Sequence, residues 1–245
     1  MMGRDTKAAF YLFFGPLMAL NARLYRHLRA PRQVTVRVHL GPGQQKYLRG
    51  WINVDANTFT AKCDVWADLR RRLPFIDGTV DAFYSHHVVE HLPDLDRHFR
   101  DVFRCLKPGG VYRVGGPNGD ASIEKFLQGD VAWFAIPRWS GLRTSPGGVL
   151  DNFLMCRGEH LHVLTASFLV ELMSSAGFEE FSTCFPTKET GYPGIFRECL
   201  QQEWETDSVD PHTLIIEARR PVLTGERASE LAVESSAHSS LVTVP

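Results

Sequence analysis

Short apolar runs alternate with segments of helical periodicity through the middle of the chain. The apolar runs predict five strands, at Val34–Leu40, Trp51–Asp55, Cys63–Trp66, Val80–Ser85 and Val111–Gly115. From Leu95 to Leu106, apolar residues instead recur at intervals of three and four, which predicts a helix with Asp94 as its amino-terminal cap. This alternation is typical of an α/β protein with a parallel sheet.

The later part of the chain continues this pattern after a long interruption. A helix is predicted over Thr165–Ala176, closed by Gly177, with late strands at Phe181–Phe185 and Thr213–Ala218. Between the fifth strand and Thr165, about fifty residues show no strong periodicity but contain Trp133, Phe134 and Trp139. Insertions of this length in compact folds are usually functional or disordered. The aromatic residues favour an ordered region that faces a substrate.

The two ends of the chain differ from the middle. Ala8–Leu20 is apolar, and the arginines that follow it at helical spacing predict one or two helices with an apolar face and a basic rim. We interpret residues 1–33 as a helical lid; a peripheral contact with an anionic membrane and a cleaved signal are the alternatives. Residues 34–221 form the main domain. Residues 222–245, rich in serine, alanine and glutamate, are predicted to be a disordered tail.

Composition narrows the class of protein further. The 245 residues are 44% hydrophobic with a net charge of −1, which fits one globular domain and argues against a nucleic-acid partner. The five cysteines have neither disulfide-framework nor zinc-finger spacing. Dispersed single thiols suit the reducing cytoplasm. We therefore expect a cytoplasmic protein, with membrane association as the alternative that the amino-terminal helix leaves open.

The first two predicted strands end in residues suited to a nucleoside cofactor. The first delivers His39, Gly41 and Gly43 at its carboxyl end, and the second ends in Asp55, a natural acceptor for ribose hydroxyls. No third glycine follows, and Gly43 to Asp55 is 12 residues, against roughly 20 in the dinucleotide fingerprint. This disfavours an NAD(P)-dependent oxidoreductase and favours S-adenosyl-L-methionine (SAM), which has no phosphate. The short spacing predicts that the first crossover, the connection between the first two strands, contains only a short turn of helix.

Several ordered segments carry a family resemblance. LGPGQ, GWINVDA, WADLRRRLPF, DGTVDAFYSHHVVEHLPD, RCLKPGG and VYRVGGPNGD resemble a class I SAM-dependent methyltransferase of the compact, methyltransferase type 11-like branch. GEHLHVLTASFLVELMSSAGF and HTLIIEARRP resemble later elements of the same family. The resemblance covers about residues 34–221. It implies a Rossmann-like, doubly wound α/β fold with a mainly parallel seven-stranded sheet and one antiparallel strand near the carboxyl terminus.

The resemblance also implies a cofactor site. Its candidate residues are His39, Gly41, Gly43, Asp55, Asp68, Leu69, Ser85 and His86. The glycines would contact the methionine part of SAM, Asp55 the ribose, and Asp68 the adenine amine, with Leu69 against the ring. Ser85 and His86 would face the sulfonium. For Asp68, a cap of the following loop is the alternative.

Three histidines and a glutamate follow the fourth strand within seven residues. His87, Glu90 and His91 would share one face of a helix, and His160 or His162 could complete a transition-metal site. The alternatives are hydrogen bonds that close the end of the sheet, or a direct catalytic role. Our interpretation assigns no metal.

Methyl transfer requires in-line approach of the acceptor and, for a hydroxyl acceptor, a base. A neutral imidazole suits that task near pH 7. The candidate bases are His86, then His162 and His160.

The resulting expectation is SAM-dependent methyl transfer to a small-molecule or carbohydrate acceptor, with oxygen as the expected methylated atom. We expect the acceptor pocket to be built from the amino-terminal helix, Pro117–Asp120 and Trp133–Asn152. A non-catalytic protein of the same fold, acting as a scaffold or partner, is the main alternative, and the oxidoreductase is the weaker one.

Overall fold

A seven-stranded sheet forms the centre of the computed structural model, which describes residues 4–29, 35–57, 62–136 and 143–222. The strands are β1 (Arg37–Leu40), β2 (Ile52–Asp55), β3 (Val65–Trp66), β4 (Val80–His86), β5 (Leu106–Pro117), β6 (Glu179–Cys184) and β7 (Thr213–Arg219). Their order is β3-β2-β1-β4-β5-β7-β6, and β7 runs antiparallel to both of its neighbours. The predicted fold class is confirmed.

Helices flank this sheet and extend to the amino-terminal end. They are α1 (Arg4–Leu24), α2 (Leu95–Cys105), α3 (Gly119–Gln128), α4 (Pro146–Met155), α5 (Ala166–Ala176) and α6 (Pro193–Phe196). A π-helical turn, Tyr25–Arg29, continues α1, and short 3₁₀ turns include Val89–His91 and Cys156–Gly158. Within the described ranges, no helix has the length and apolar character needed to cross a membrane.

The central strands are buried because elements cover both faces of the sheet. In β4, only Asp81 has partial exposure, which is the near-continuous apolar pattern of a parallel strand. On one side, Phe99 and Val102 of α2 pack into the core with Phe83 of β4. α2 and α5 also contact each other. This packing fixes the carboxyl ends of β1, β2 and β4 side by side.

Local sequence signals agree with the structure at the helix ends. Asp94 caps α2 by accepting a hydrogen bond from the Arg97 amide at 2.9 Å, as predicted. Thr165 caps α5 in the same way, and Gly177 ends that helix with φ of +102°. The first crossover has one helical turn, closed by a bond from the Lys46 amide to the Pro42 carbonyl at 3.2 Å. The short crossover is therefore confirmed.

The interruption before Thr165 is more regular than the sequence pattern suggested. It contains α3 and α4, capped by Asn118 and Ser145. Each cap side chain accepts a hydrogen bond from an amide of its helix's first turn. Trp139 and residues 223–245 of the predicted tail lie outside the described residues.

α1 is one helix that continues through Pro16. Its inner side reaches the domain through buried Met18 and through Asn21, whose side chain donates to the Trp66 carbonyl at 2.8 Å. Its outer side exposes apolar residues, among them Leu12, Leu17 and Leu20. The helix therefore lies on the domain with one apolar side uncovered, and the membrane contact stays a prediction.

Candidate active site

A cavity of about 1170 Å³ opens beside the carboxyl ends of β1, β2 and β4. This is the edge at which open α/β sheets bind their ligands. Among the described residues, six parts of the chain line it: α1, the loops after β1, β2 and β3, the segment 87–92 after β4, and the segment 158–161. The cavity therefore joins the predicted cofactor loops to the amino-terminal helix.

The glycine loop after β1 forms one wall of the cavity. Gly41 has φ of +68°, and a Cβ at this position would lie 2.5 Å from Cγ2 of Val88. Gly43 also has positive φ, +57°, but open space surrounds the place of its missing Cβ. Only glycine satisfies both the backbone conformation and the contact at position 41.

Asp55 lies on the same wall, held in one orientation by the backbone. Its carboxylate accepts hydrogen bonds from the amides of Gly43 at 3.1 Å and Asn57 at 2.8 Å. Burial raises the pKa of this carboxyl, although the backbone bonds oppose the shift. The carboxylate keeps further acceptor capacity. Asp55 and the Gly41 loop therefore fit the ribose and methionine parts of SAM.

Asp68 has a different arrangement from the one predicted. It is buried and outside the cavity lining, and its carboxylate bonds the Arg70 guanidinium through two contacts of 2.9 Å. It also accepts from the Arg70 amide at 3.0 Å, which is the loop-cap alternative. Arg70 in turn lies 3.3 Å from the ring centre of Tyr11 on α1. Leu69 does line the cavity, while the adenine contact of Asp68 stays a prediction.

Three other predicted cofactor residues lie within the sheet, outside the cavity lining. Ser85 bonds the Tyr112 hydroxyl at 2.7 Å, and His86 Nδ1 lies 2.9 Å from Lys46 Nζ. His39 Nδ1 lies 3.1 Å from Asn53 Oδ1, and burial lowers its pKa to about 4. Burial also places the pKa of His86 well below its usual value. The base role of His86 stays a prediction without a cavity position to support it.

His87, and not His86 as predicted, is the histidine that follows β4 and lines the cavity. β4 extends through His86, one residue further than predicted, so His87 is the first side chain beyond the strand. It lines the cavity with φ of +55°, and its Nδ1 lies 3.1 Å from Oε1 of Glu90. Positive φ is uncommon for a residue with a side chain. The backbone conformation directs His87 out of the strand's alternation.

Glu90, His91 and His160 come together behind this segment. One potential ligand atom from each lies within 4.8 Å of the other two. Glu90 is fully buried; burial disfavours its ionisation, but His87, His91 and His160 hold its pKa below the usual value. His162 lies apart from this group and bonds the Leu92 carbonyl at 2.8 Å. Of the two later histidines, His160 therefore joins the site.

The expected acceptor walls are only partly correct. Of the described residues, α1 lines the cavity, but neither 117–120 nor those of 133–152 do. Trp133 and Phe134 pack instead with Phe153 in a separate core, where Trp133 stacks on His212 at 4.2 Å. Trp133 and Phe134 therefore stabilise the fold of the interruption, and Gly158, Glu159 and Leu161 line the cavity.

A family model described as a methyltransferase domain matches residues 22–114. The match runs from the end of α1 to β5 and includes Gly41, Asp55 and the segment after β4. Residues 22–114 are therefore similar to the methyltransferase domain family. The resemblance to class I SAM-dependent methyltransferases is confirmed, with SAM as the family's cofactor.

Individual methyltransferases are also similar to parts of this chain. A protein of Mycolicibacterium smegmatis described as a "Probable S-adenosylmethionine-dependent methyltransferase" is 33% identical over 107 residues, 44% of this chain and 32% of that protein. A sterol 24-C-methyltransferase of Aspergillus fumigatus is 42% identical over 43 residues, 18% of this chain and 11% of its own. The chain thus spans about a third or less of these relatives.

A solved structure shows the shared fold. It is described as a SAM dependent methyltransferase from Archaeoglobus fulgidus, and it matches with a TM-score of 0.50 at 16% identity. The match covers 85% of this chain and 99% of that one. At this identity the comparison speaks for the fold alone.

Proposed function

We propose that this protein transfers a methyl group from SAM to a small-molecule acceptor held in the same cavity. The observation that carries the proposal is the pairing of Gly41 and Asp55 on one wall of a cavity of about 1170 Å³. Pockets for a single small ligand usually measure roughly 300–1,000 Å³. There is therefore room for an acceptor beside the cofactor.

The wall facing the acceptor suggests its chemistry. α1 contributes Phe10, Tyr11, Phe13 and Phe14. Aromatic faces favour a flat or ring-shaped apolar surface, such as an apolar small molecule or one face of a sugar. His87 and His91 are the imidazoles of the lining. We propose an acceptor that combines such a surface with a hydroxyl group.

The chain's own residues would then perform two tasks. SAM, when bound, supplies an electrophilic methyl carbon. α1 and the segment after β4 would hold the acceptor in line with that carbon, which supplies much of the rate enhancement in a displacement of this kind. His87 would take the hydroxyl proton as the new oxygen–carbon bond forms. Oxygen is the proposed methylated atom; the Aspergillus relative is named for a carbon acceptor.

Binding of S-adenosylhomocysteine, the product of SAM, tests the cofactor half of this proposal. At a hundred times its Kd, this ligand should raise the melting temperature by about 5–10 °C. Asp55→Asn should weaken the binding by about 10- to 100-fold, because a hydrogen bond to a charged group contributes roughly 1.5–3 kcal/mol. Isothermal titration calorimetry measures the Kd of each variant.

Asp207→Asn is the matched control. Asp207 also accepts two backbone amide bonds, from Val209 at 2.8 Å and Asp210 at 2.9 Å, but lies outside the cavity lining. It should leave the Kd unchanged. Stabilisation by NAD⁺ instead of S-adenosylhomocysteine would favour the oxidoreductase alternative. Stabilisation by neither ligand would favour the non-catalytic scaffold.

A further inference from the structure

Glu90, His91 and His160 form a cluster of potential metal ligands next to the cavity. One ligand atom from each lies within 4.8 Å of the other two, and the two imidazole rings meet edge to face with centroids 4.8 Å apart. His91 also lines the cavity, as does the neighbouring Glu159. The cluster is therefore close to solvent on one side and buried on the others.

Backbone contacts fix the tautomers of both histidines. His91 Nδ1 donates to the Glu159 carbonyl at 2.9 Å, and His160 Nδ1 donates to the Leu154 carbonyl at 2.7 Å. A carbonyl oxygen only accepts, so each Nδ1 carries the hydrogen. In a neutral imidazole, Nε2 then holds the lone pair. Metal-binding histidines commonly show this arrangement, with the second nitrogen donating to a carbonyl or carboxylate.

The carboxylate of Glu90 has an oxygen that the protein leaves unsatisfied. Oε1 is 3.1 Å from His87 Nδ1, whereas Oε2 is buried and has no hydrogen-bond partner among the described residues. Burying a carboxylate oxygen without a partner is costly, and buried charges are usually paired or bound to metal. A cation beside Oε2 would remove this cost.

We propose that Glu90, His91 and His160 bind a divalent transition-metal ion of the zinc type. Two imidazoles and one carboxylate are a donor set found in zinc sites that keep an open position. Magnesium fits poorly, because it prefers an all-oxygen shell. Zinc–ligand bonds of about 2.0–2.2 Å require the side chains to close slightly around the ion. This proposal does not depend on the proposed methyl transfer.

Cobalt(II) is the probe for this site, since its visible absorption reports coordination by protein ligands. The full chain, stripped with EDTA, should bind one Co²⁺ with the intense visible bands of a tetrahedral or five-coordinate ion, and Zn²⁺ should displace it. Loss of outer hydrogen-bond partners alone costs about 10–100-fold in metal affinity. Glu90→Gln and His160→Asn, which remove ligands, should therefore weaken Co²⁺ binding by more than about 100-fold.

His162→Asn is the matched control, because His162 bonds the Leu92 carbonyl and lies outside the cluster. It should keep the Co²⁺ bands. Circular dichroism checks folding, and if Glu90→Gln unfolds, His160→Asn and the wild-type spectrum decide.

Absence of the bands in the wild-type protein, or their persistence in folded Glu90→Gln and His160→Asn, would overturn the metal site. S-adenosylhomocysteine binding, measured in parallel, keeps the two proposals separate. Co²⁺ bands without that binding would contradict the cofactor site alone, and binding without bands would contradict the metal site alone.

Discussion

Gly41 is the point at which the loop after β1 meets the segment after β4. Its missing side chain leaves space for Val88, whose Cγ2 would lie 2.5 Å from a Cβ. Its amide donates to the Val54 carbonyl at 2.8 Å, which ties the loop to β2 as well. One residue thus sets the mutual distance of three strands' carboxyl ends.

Substitution of Gly41 should lower the free energy of unfolding through two effects that can be measured separately. Gly41→Ala and Gly43→Ala both force a side chain into positive φ, which costs roughly 1–2 kcal/mol. Only Gly41→Ala also presses on Val88, adding about 1–3 kcal/mol. Urea unfolding should therefore show Gly41→Ala to be the less stable variant. The Gly41→Ala/Val88→Ala double variant should recover part of the difference, and equal stabilities of the two single variants would contradict the contact.

The candidate site was predictable from sequence where a residue's role depends on its near neighbours. Gly41 and Asp55 end consecutive strands, so both the strand pattern and the family resemblance locate them. His87 was named only for the possible metal group, and its cavity position was given to His86, because β4 extends one residue further than predicted. Asp68 was assigned to adenine because the sequence does not reveal that Arg70 folds back onto it.

At the scale of elements, α2 depends on its cap. Asp94→Ala should lower the free energy of unfolding by about 1 kcal/mol, since the Arg97 amide loses its acceptor. For a domain of this size the melting temperature should fall by about 2–4 °C. Asp94→Asn keeps the acceptor and should change stability little. A loss as large in the asparagine variant would mean that charge, and not capping, stabilises the helix.

Whether an element was predictable depended on how much of it is buried. α2 buries Leu95, Phe99 and Val102 on one face, so its periodicity is visible in the sequence. α3 buries only Gly119 and Ser122, which are small and mark no apolar stripe. α4 buries Phe153 alone. These two helices therefore gave no periodic signal in the sequence.

At the scale of the whole molecule, buried histidines should make stability depend on pH. Burial lowers the pKa of both His39 and His98 from the usual value of 6.5 to about 4. Between these pH values the unfolded chain binds protons that the folded chain does not, so stability falls as pH decreases from 6.5 to 4. Each histidine contributes a slope of at most about 1.4 kcal/mol per pH unit.

Thermal or urea unfolding at a series of pH values checks this dependence. His98→Gln should reduce the slope of unfolding free energy against pH in this range by up to about 1.4 kcal/mol per pH unit, the contribution of one histidine. Its own lower stability does not affect that comparison, because the slope and not the absolute value is measured. An unchanged slope would show that His98 does not remain neutral in the folded protein.

The alternating patterns predicted the α/β class and its strands, but they did not predict the cavity. Its walls join residues 87–92 to 158–161 and to α1, segments far apart in sequence. The Leu161 amide donates to the Glu90 carbonyl at 2.7 Å, a contact that depends on packing of the complete chain. The sequence offered His160 and His162 equally as partners of Glu90 and His91, and the structure was needed to show that His160 is the one that joins them.

α1 supplies a cavity wall that lies largely outside the family match, which begins at residue 22. The cofactor loops lie inside that match. Mutations on the inner side of α1 can therefore alter which acceptors fit while leaving the glycine loop and Asp55 untouched. Under the proposed function, the cofactor wall and the acceptor wall therefore belong to different parts of the chain, and changes in α1 would not require changes in the sheet.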